Sequence, residues 1–176
     1  CYNLGTVEAN LGDYNAAKRL YEQILPVIVE EYSGNHKFIT NVRYHLALSE
    51  VKLGNNAAAK VLYEQVLQVA IKTYGNDHIE IATMRHSFGI AELRLGNYNA
   101  AKELFEQALQ IEIKTYGDDS LAVIEAKENL AIIEHKLDNY TAAKELYKQV
   151  LAVKRHVHGN EHIALVSVLV NLANVE

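Results

Sequence analysis

The segment NYNAAKELFEQAL (residues 97–109) returns 42 residues later as NYTAAKELYKQVL (residues 139–151). Outward from this pair, Gly12, Gly54, Gly96 and Asp138 keep the same spacing. So do Leu20, Leu62, Leu104 and Leu146, and so do Tyr32, Tyr74, Tyr116 and His158. Self-similarity at one fixed period marks a repeat architecture, in which each unit buries its apolar face only against its neighbours. The period holds to both ends, where Cys1 aligns with Arg43 and Glu176 with Glu134. The expectation is a single array over 1–176, with units at about 1–36, 37–78, 79–120 and 121–162 and a partial unit at 163–176, cut within a first helix at both ends.

Glycines set the register. Gly12, Gly54 and Gly96 mark one turn, where a positive φ is cheap only without a Cβ. Gly34, Gly75, Gly117 and Gly159 mark the other. Gly5 and Gly89 share a column with Ala47, Ala131 and Ala173, which reads as a close contact between helices. Between the turns the apolar residues follow i, i+3, i+4, i+7, as in Ala101, Leu104, Phe105, Ala108, Leu109 and Ile111. No segment alternates with period two over a strand's length. First helices are predicted near 37–53, 79–95 and 121–137, with partial ones at 1–11 and 163–176. Second helices are predicted near 14–32, 56–74, 98–116 and 140–157. Pro26 falls inside one of them, where a kink is expected rather than a stop, because apolar spacing continues through Val27 and Val29.

With 49% hydrophobic and 22% charged residues, the 176-residue chain is too apolar for disorder. No apolar run approaches the roughly 18 residues of a membrane span. The lone Cys1 cannot form an internal disulfide or a thiolate cluster, which suits a reducing, cytoplasmic setting. A net charge of −5 argues against nucleic acid as a partner. No phosphate loop or nucleophile elbow occurs. His156, His158 and His162 form the one local histidine cluster, but His162 belongs to the linker column of His36 and His78. Neither a metal, a cofactor nor an enzyme is expected.

The run Asn129-Leu130-Ala131, with Ala143 and then Tyr147 following, resembles the tetratricopeptide repeat. The 42-residue spacing and the linker YGNDHIEIA (74–82) are similar to the long repeats of kinesin light chains. The resemblance covers the whole chain. It implies an all-α fold, a right-handed superhelical solenoid of antiparallel helix pairs with first helices lining the concave side, and a scaffold that binds protein or peptide.

The chain departs from that family where Glu8, Glu50, Glu92, Glu134 and Glu176 fill a column usually held by tyrosine or another bulky residue. Ten residues after the first four stand Lys18, Lys60, Lys102 and Lys144. Two readings follow: a glutamate–lysine pair across the tight turn of every hairpin, or a solvated column of charge.

Tyr21, Tyr63, Phe105 and Tyr147 read as an aromatic core column, whereas Tyr2 and Tyr44 neighbour a stripe that is not consistently apolar. That stripe, at i, i+4, i+7, i+11, runs Asn41, His45, Leu48, Lys52; then Thr83, Ser87, Ile90, Arg94; then Glu125, Asn129, Ile132, Lys136. Asn3, Thr6, Asn10, Ser167, Asn171 and Asn174 extend it. In the family this face holds extended peptides, and an amide can serve both halves of a backbone group pair. The candidate peptide-binding residues are Asn3, Tyr44, His45, Leu48, Lys52, Ser87, Ile90, Arg94, Asn129, Ile132, Lys136 and Asn171. A solvated helix face is the other reading of each. The basic row Lys52, Arg94 and Lys136 points to an acidic peptide with an apolar anchor over Leu48, Ile90 and Ile132, and Arg94→Glu is expected to weaken binding without lowering stability. The alternative function is a structural module that contacts further repeats or copies of itself, with self-association through the cut ends.

Overall fold

In a computed structural model, residues 1–32, 37–158 and 165–174 are described, and among them every regular element is a helix. In chain order these are α1 (Tyr2–Asn10), α2 (Tyr14–Glu31), α3 (Lys37–Lys52), α4 (Asn56–Tyr74), α5 (Ile79–Arg94), α6 (Tyr98–Tyr116), α7 (Leu121–Lys136), α8 (Tyr140–His158) and α9 (Val166–Ala173). They fall within one or two residues of the periodicity, α9 apart, which begins three residues late. The predicted turn and linker residues Gly34, His36, Gly159 and His162, and Glu176, lie outside the described residues.

The tight turns follow their glycines. Gly12, Gly54 and Gly96 have φ of 86°, 84° and 79°, and Asp138, in the same column, takes φ 62°. Aspartate tolerates this left-handed region better than most residues, because its short side chain bonds locally; here Asp138 Oδ1 accepts from the Tyr140 hydroxyl at 2.7 Å. Gly5 is packed so closely that an added Cβ would stand 2.8 Å from the Tyr21 ring, confirming that column as a helix contact. Helix α2 runs through Pro26 without interruption to Glu31.

Two compact units result, Cys1–Leu95 and Gly96–Glu176. In the first, α1 to α5 pack each against the next. Its core includes Ala17, Tyr21, Ile28, Ile39, Val42 and Leu46, with Val66, Ala70, Ile81 and Met84 forming a second cluster. In the second unit α6 packs on α7, α7 on α8 and α8 on α9. Ile124, Ala143, Tyr147, Val150, Leu165 and Val168 fill its core. The aromatic column is fully buried, Tyr21, Tyr63 and Phe105 at 0% exposure and Tyr147 at 1%. The adjoining column of Leu20, Leu62, Leu104 and Leu146 is only half-buried.

The glutamate–lysine pairs exist, but not where the turn spacing put them. Lys18 Nζ meets Glu50 at 2.8 Å, Lys60 meets Glu92 at 2.8 Å, and Lys102 meets Glu134 at 2.7 Å. Each lysine on a second helix reaches the glutamate of the following first helix, 32 residues on rather than ten back. The glutamates are buried, at 5%, 2% and 7% exposure, so they are not a solvated column either. Each lies on the side of its helix turned to the preceding second helix, and the turn of its own hairpin supplies an amide instead: Asn55 Nδ2 donates to Glu50 and Asn139 Nδ2 to Glu134, both at 2.7 Å. Asn55 therefore does not cap α4 with its side chain, whereas Asp13, in the same column and without a donor, caps α2 by accepting from Ala16 N at 2.8 Å.

Hydrogen bonds donated to the glutamates raise the pKa of Lys18, Lys60 and Lys102 above 10.5. Burial pushes the Glu134 carboxyl up, but the bonds from Lys102 and Asn139 and the Lys102 charge outweigh it, and its pKa falls below 4.5. The carboxylate's contribution is present above the unfolded value and lost as pH falls through the folded one; the lysines' contribution is present below their unfolded value and lost as pH rises through the folded one. Thermal melts across pH should show a plateau from about pH 5 to about pH 10 with losses on both sides. Replacing the pairs whole, lysine to methionine together with glutamate to leucine, should flatten the alkaline loss; an unaltered alkaline limb would mean the pairs contribute nothing.

Candidate functional site

Helices α1, α3 and α5 of the first unit touch in sequence along one face. There the stripe Asn41, His45, Leu48, Lys52 comes to the surface, because the opposite face of α3 is committed to the core through Ile39, Val42, Leu46 and Ala47. Two open recesses form on either side of His45. The first, of about 260 Å³, is lined by Thr6, Ala9, Asn10 and Tyr14 together with His45, Leu48, Ser49 and Lys52. The second, of about 290 Å³, is lined by Lys37, Asn41, Tyr44 and His45 from α3 and by Glu80, Thr83 and Met84 from α5.

Four of the predicted residues, Tyr44, His45, Leu48 and Lys52, thus meet at one site. Tyr44 is engaged: its hydroxyl lies 3.1 Å from Ser87 Oγ, and its ring stands edge-on to Tyr63 at 6.1 Å. Burial raises its pKa. Ser87 also donates to the Thr83 carbonyl at 3.0 Å, so it is a strut between α3 and α5 more than an open contact. Ile90 is half-buried and Asn3 exposed, neither of them lining a recess. In the second unit, Asn129 donates to the Glu125 carbonyl at 3.0 Å, Ile132 packs against the core, Lys136 is exposed and Asn171 half-buried.

Arg94 requires a revised expectation. Its Nη1 donates to the Val51 carbonyl at 2.8 Å, which also accepts from Gly54 N at 3.1 Å in the turn after α3. Replacing it is therefore expected to lower stability, and Lys52, exposed at the rim of a recess, is the cleaner probe of the groove.

Sequence reasoning missed Lys37, Glu80, Met84 and Tyr14. The signal for Lys37 was present, since the stripe continued backward by one turn from Asn41 reaches it. Glu80 and Met84 flank Thr83 and enter the recess only through the packing of α5 on α3.

Among the described residues no helix is long and apolar enough to cross a membrane, and no group of three or more His, Cys, Asp or Glu side chains is placed to hold a metal ion. His162 of the histidine cluster lies outside them.

Family models of the tetratricopeptide repeat match residues 1–36, 38–114, 80–155 and 122–176. No curated protein matches the chain. Among solved structures, one from Podosopora anserina, described as a kinesin light chain with nearly identical TPR-like repeats, superposes with a TM-score of 0.83 at 24% identity, over 99% of this chain and 82% of that one. BtubC (BKLC) from P. vanneervenii gives 0.81 at 20% identity, over 98% and 68%. A MamA RS-1 double mutant gives 0.68 at 19% identity, over 90% and 76%. At these identities the likeness concerns the fold.

Proposed function

Because this chain belongs to the tetratricopeptide repeat family, we propose that the α1–α3–α5 face of its first unit binds an extended, acidic segment of a partner protein. Arrays of this family are scaffolds for protein–protein contact and are generally non-enzymatic. The observation that carries the finer reading is the pair of recesses meeting at His45, each bordered by a lysine, Lys52 or Lys37, with Leu48 and Met84 as apolar floor. Asn41, Asn10, Thr6 and Thr83 supply hydrogen-bonding groups between them.

The test is fluorescence anisotropy with a labelled heptapeptide of glutamates around one leucine and one phenylalanine, against a lysine counterpart. The acidic peptide should bind more tightly, lose affinity with added salt, and bind several-fold more weakly to Lys52→Glu. Equal binding of both peptides would sink the reading.

A second reading, a structural module whose main contacts are with further repeats or copies of itself, is favoured by a separate observation. Leu4 and Val7 of α1 are each 50% exposed and Leu11, just after it, 76%, although Leu46 and Ser49, equivalent to the first two, are buried. Val166, Leu169 and Val170 of α9 are also exposed. Light scattering across concentrations separates the two readings.

A further inference from the structure

His45 forms the wall shared by both recesses. Three tyrosine rings surround its imidazole: Tyr2 on α1 at 5.7 Å, Tyr21 on α2 in a stacked arrangement at 6.0 Å, and its neighbour Tyr44 at 5.6 Å. Among the described residues no group hydrogen-bonds either ring nitrogen, although the residue is half-buried and open to the cavities on both sides. A neutral imidazole offers one donor and one acceptor, and a protonated one offers two donors.

The other charged or titratable groups around these recesses are Lys52 and Tyr14 on one side and Lys37 and Glu80 on the other. The hydroxyls of Tyr2, Tyr21 and Tyr44 belong to the ring collar itself. Burial holds the His45 pKa below 6.5, so near neutral pH the ring is uncharged. A peptide carboxylate seated in either recess supplies the opposite charge that favours the protonated form. We infer that His45 is a specificity-determining contact through which binding of an acidic peptide takes up a proton and tightens as pH falls. The inference rests on the groove reading above.

The direction follows from linkage. If the bound pKa lies above the free one, affinity rises as pH falls through the bound value and levels off below the free value. Each unit of difference corresponds to about tenfold in affinity. Lysines stay charged throughout, and peptide glutamates stay largely ionised down to about pH 5, so neither produces a rise in this window.

Isothermal titration of the whole chain with the same glutamate heptapeptide, at pH 7.5, 6.5 and 5.5 in two buffers of different ionisation enthalpy, reads both affinity and proton uptake. The expected result is about a five- to tenfold gain from pH 7.5 to 5.5 with net proton uptake. The glutamine analogue of the peptide should show no gain. His45→Asn, which installs the residue found at the equivalent Asn3 and Asn129, and His45→Gln should bind with flat pH profiles, their folding checked by circular dichroism. Binding without a pH-dependent gain, or a gain retained in both variants, would overturn this inference and leave the groove reading standing. No binding at any pH would remove the groove reading and this inference with it.

Discussion

Phe105→Ala is expected to lower the unfolding free energy by about 3–5 kcal/mol. The Phe105 ring has 0% exposure on α6, in the column that Tyr21, Tyr63 and Tyr147 fill elsewhere. Truncation removes its apolar contacts and leaves a cavity that the packed helices close only in part. Since a repeat has no core of its own, the loss should also broaden or split the transition, as coupling between neighbouring repeats is what makes unfolding cooperative. Leu104→Ala is the comparison. Its side chain is half-buried, so it should cost clearly less. Urea unfolding followed by circular dichroism decides the matter, and equal losses at the two positions would mean the aromatic column is not the core.

Lys102→Met is expected to cost about 2–4 kcal/mol at neutral pH, more than a surface ion pair is worth. The lysine side chain is 31% exposed but that of its partner Glu134 only 9%, so removing the ammonium leaves a buried carboxylate held by the Asn139 amide. The double variant Lys102→Met with Glu134→Leu should recover most of the loss, because exchanging a whole buried pair for apolar groups is often neutral or better. Without the Lys102 bond and charge, burial pushes the Glu134 carboxyl up. The single variant's deficit should therefore begin to shrink as pH falls toward the ordinary carboxylate range and Glu134 takes up its proton. If the double variant is as unstable as the sum of the singles, the two residues are not coupled.

Much of the fold was legible because its determinants are local. Helix limits follow from apolar spacing and from glycines at positive φ, both read within a dozen residues. The aromatic column was visible because four repeats present it at one register. The candidate site was legible in part: His45, Leu48 and Lys52 lie on a helix face that the core pattern of α3 leaves uncommitted. Lys37 was reachable by extending that stripe one turn, but Glu80 and Met84 enter through the approach of α5 to α3, which no local pattern encodes.

By itself the sequence determined the 42-residue period, the helix pairs, the turns and the identity of the columns. What it left open is which copy of one column meets which copy of another. Lys18 with Glu8 and Lys18 with Glu50 are the same pair of columns, and a periodic chain scores them alike. Only the packing of α2 against α3 selects Glu50, at 2.8 Å, so that the ion pair joins successive repeats instead of closing a hairpin. The same ambiguity governs the basic row. Lys52 and Arg94 are equivalent by period, yet Arg94 spends its guanidinium on the Val51 carbonyl while Lys52 stands at the rim of a recess. A periodic sequence fixes what each position is, and the three-dimensional approach of one helix to the next fixes whether that side chain is left for a partner.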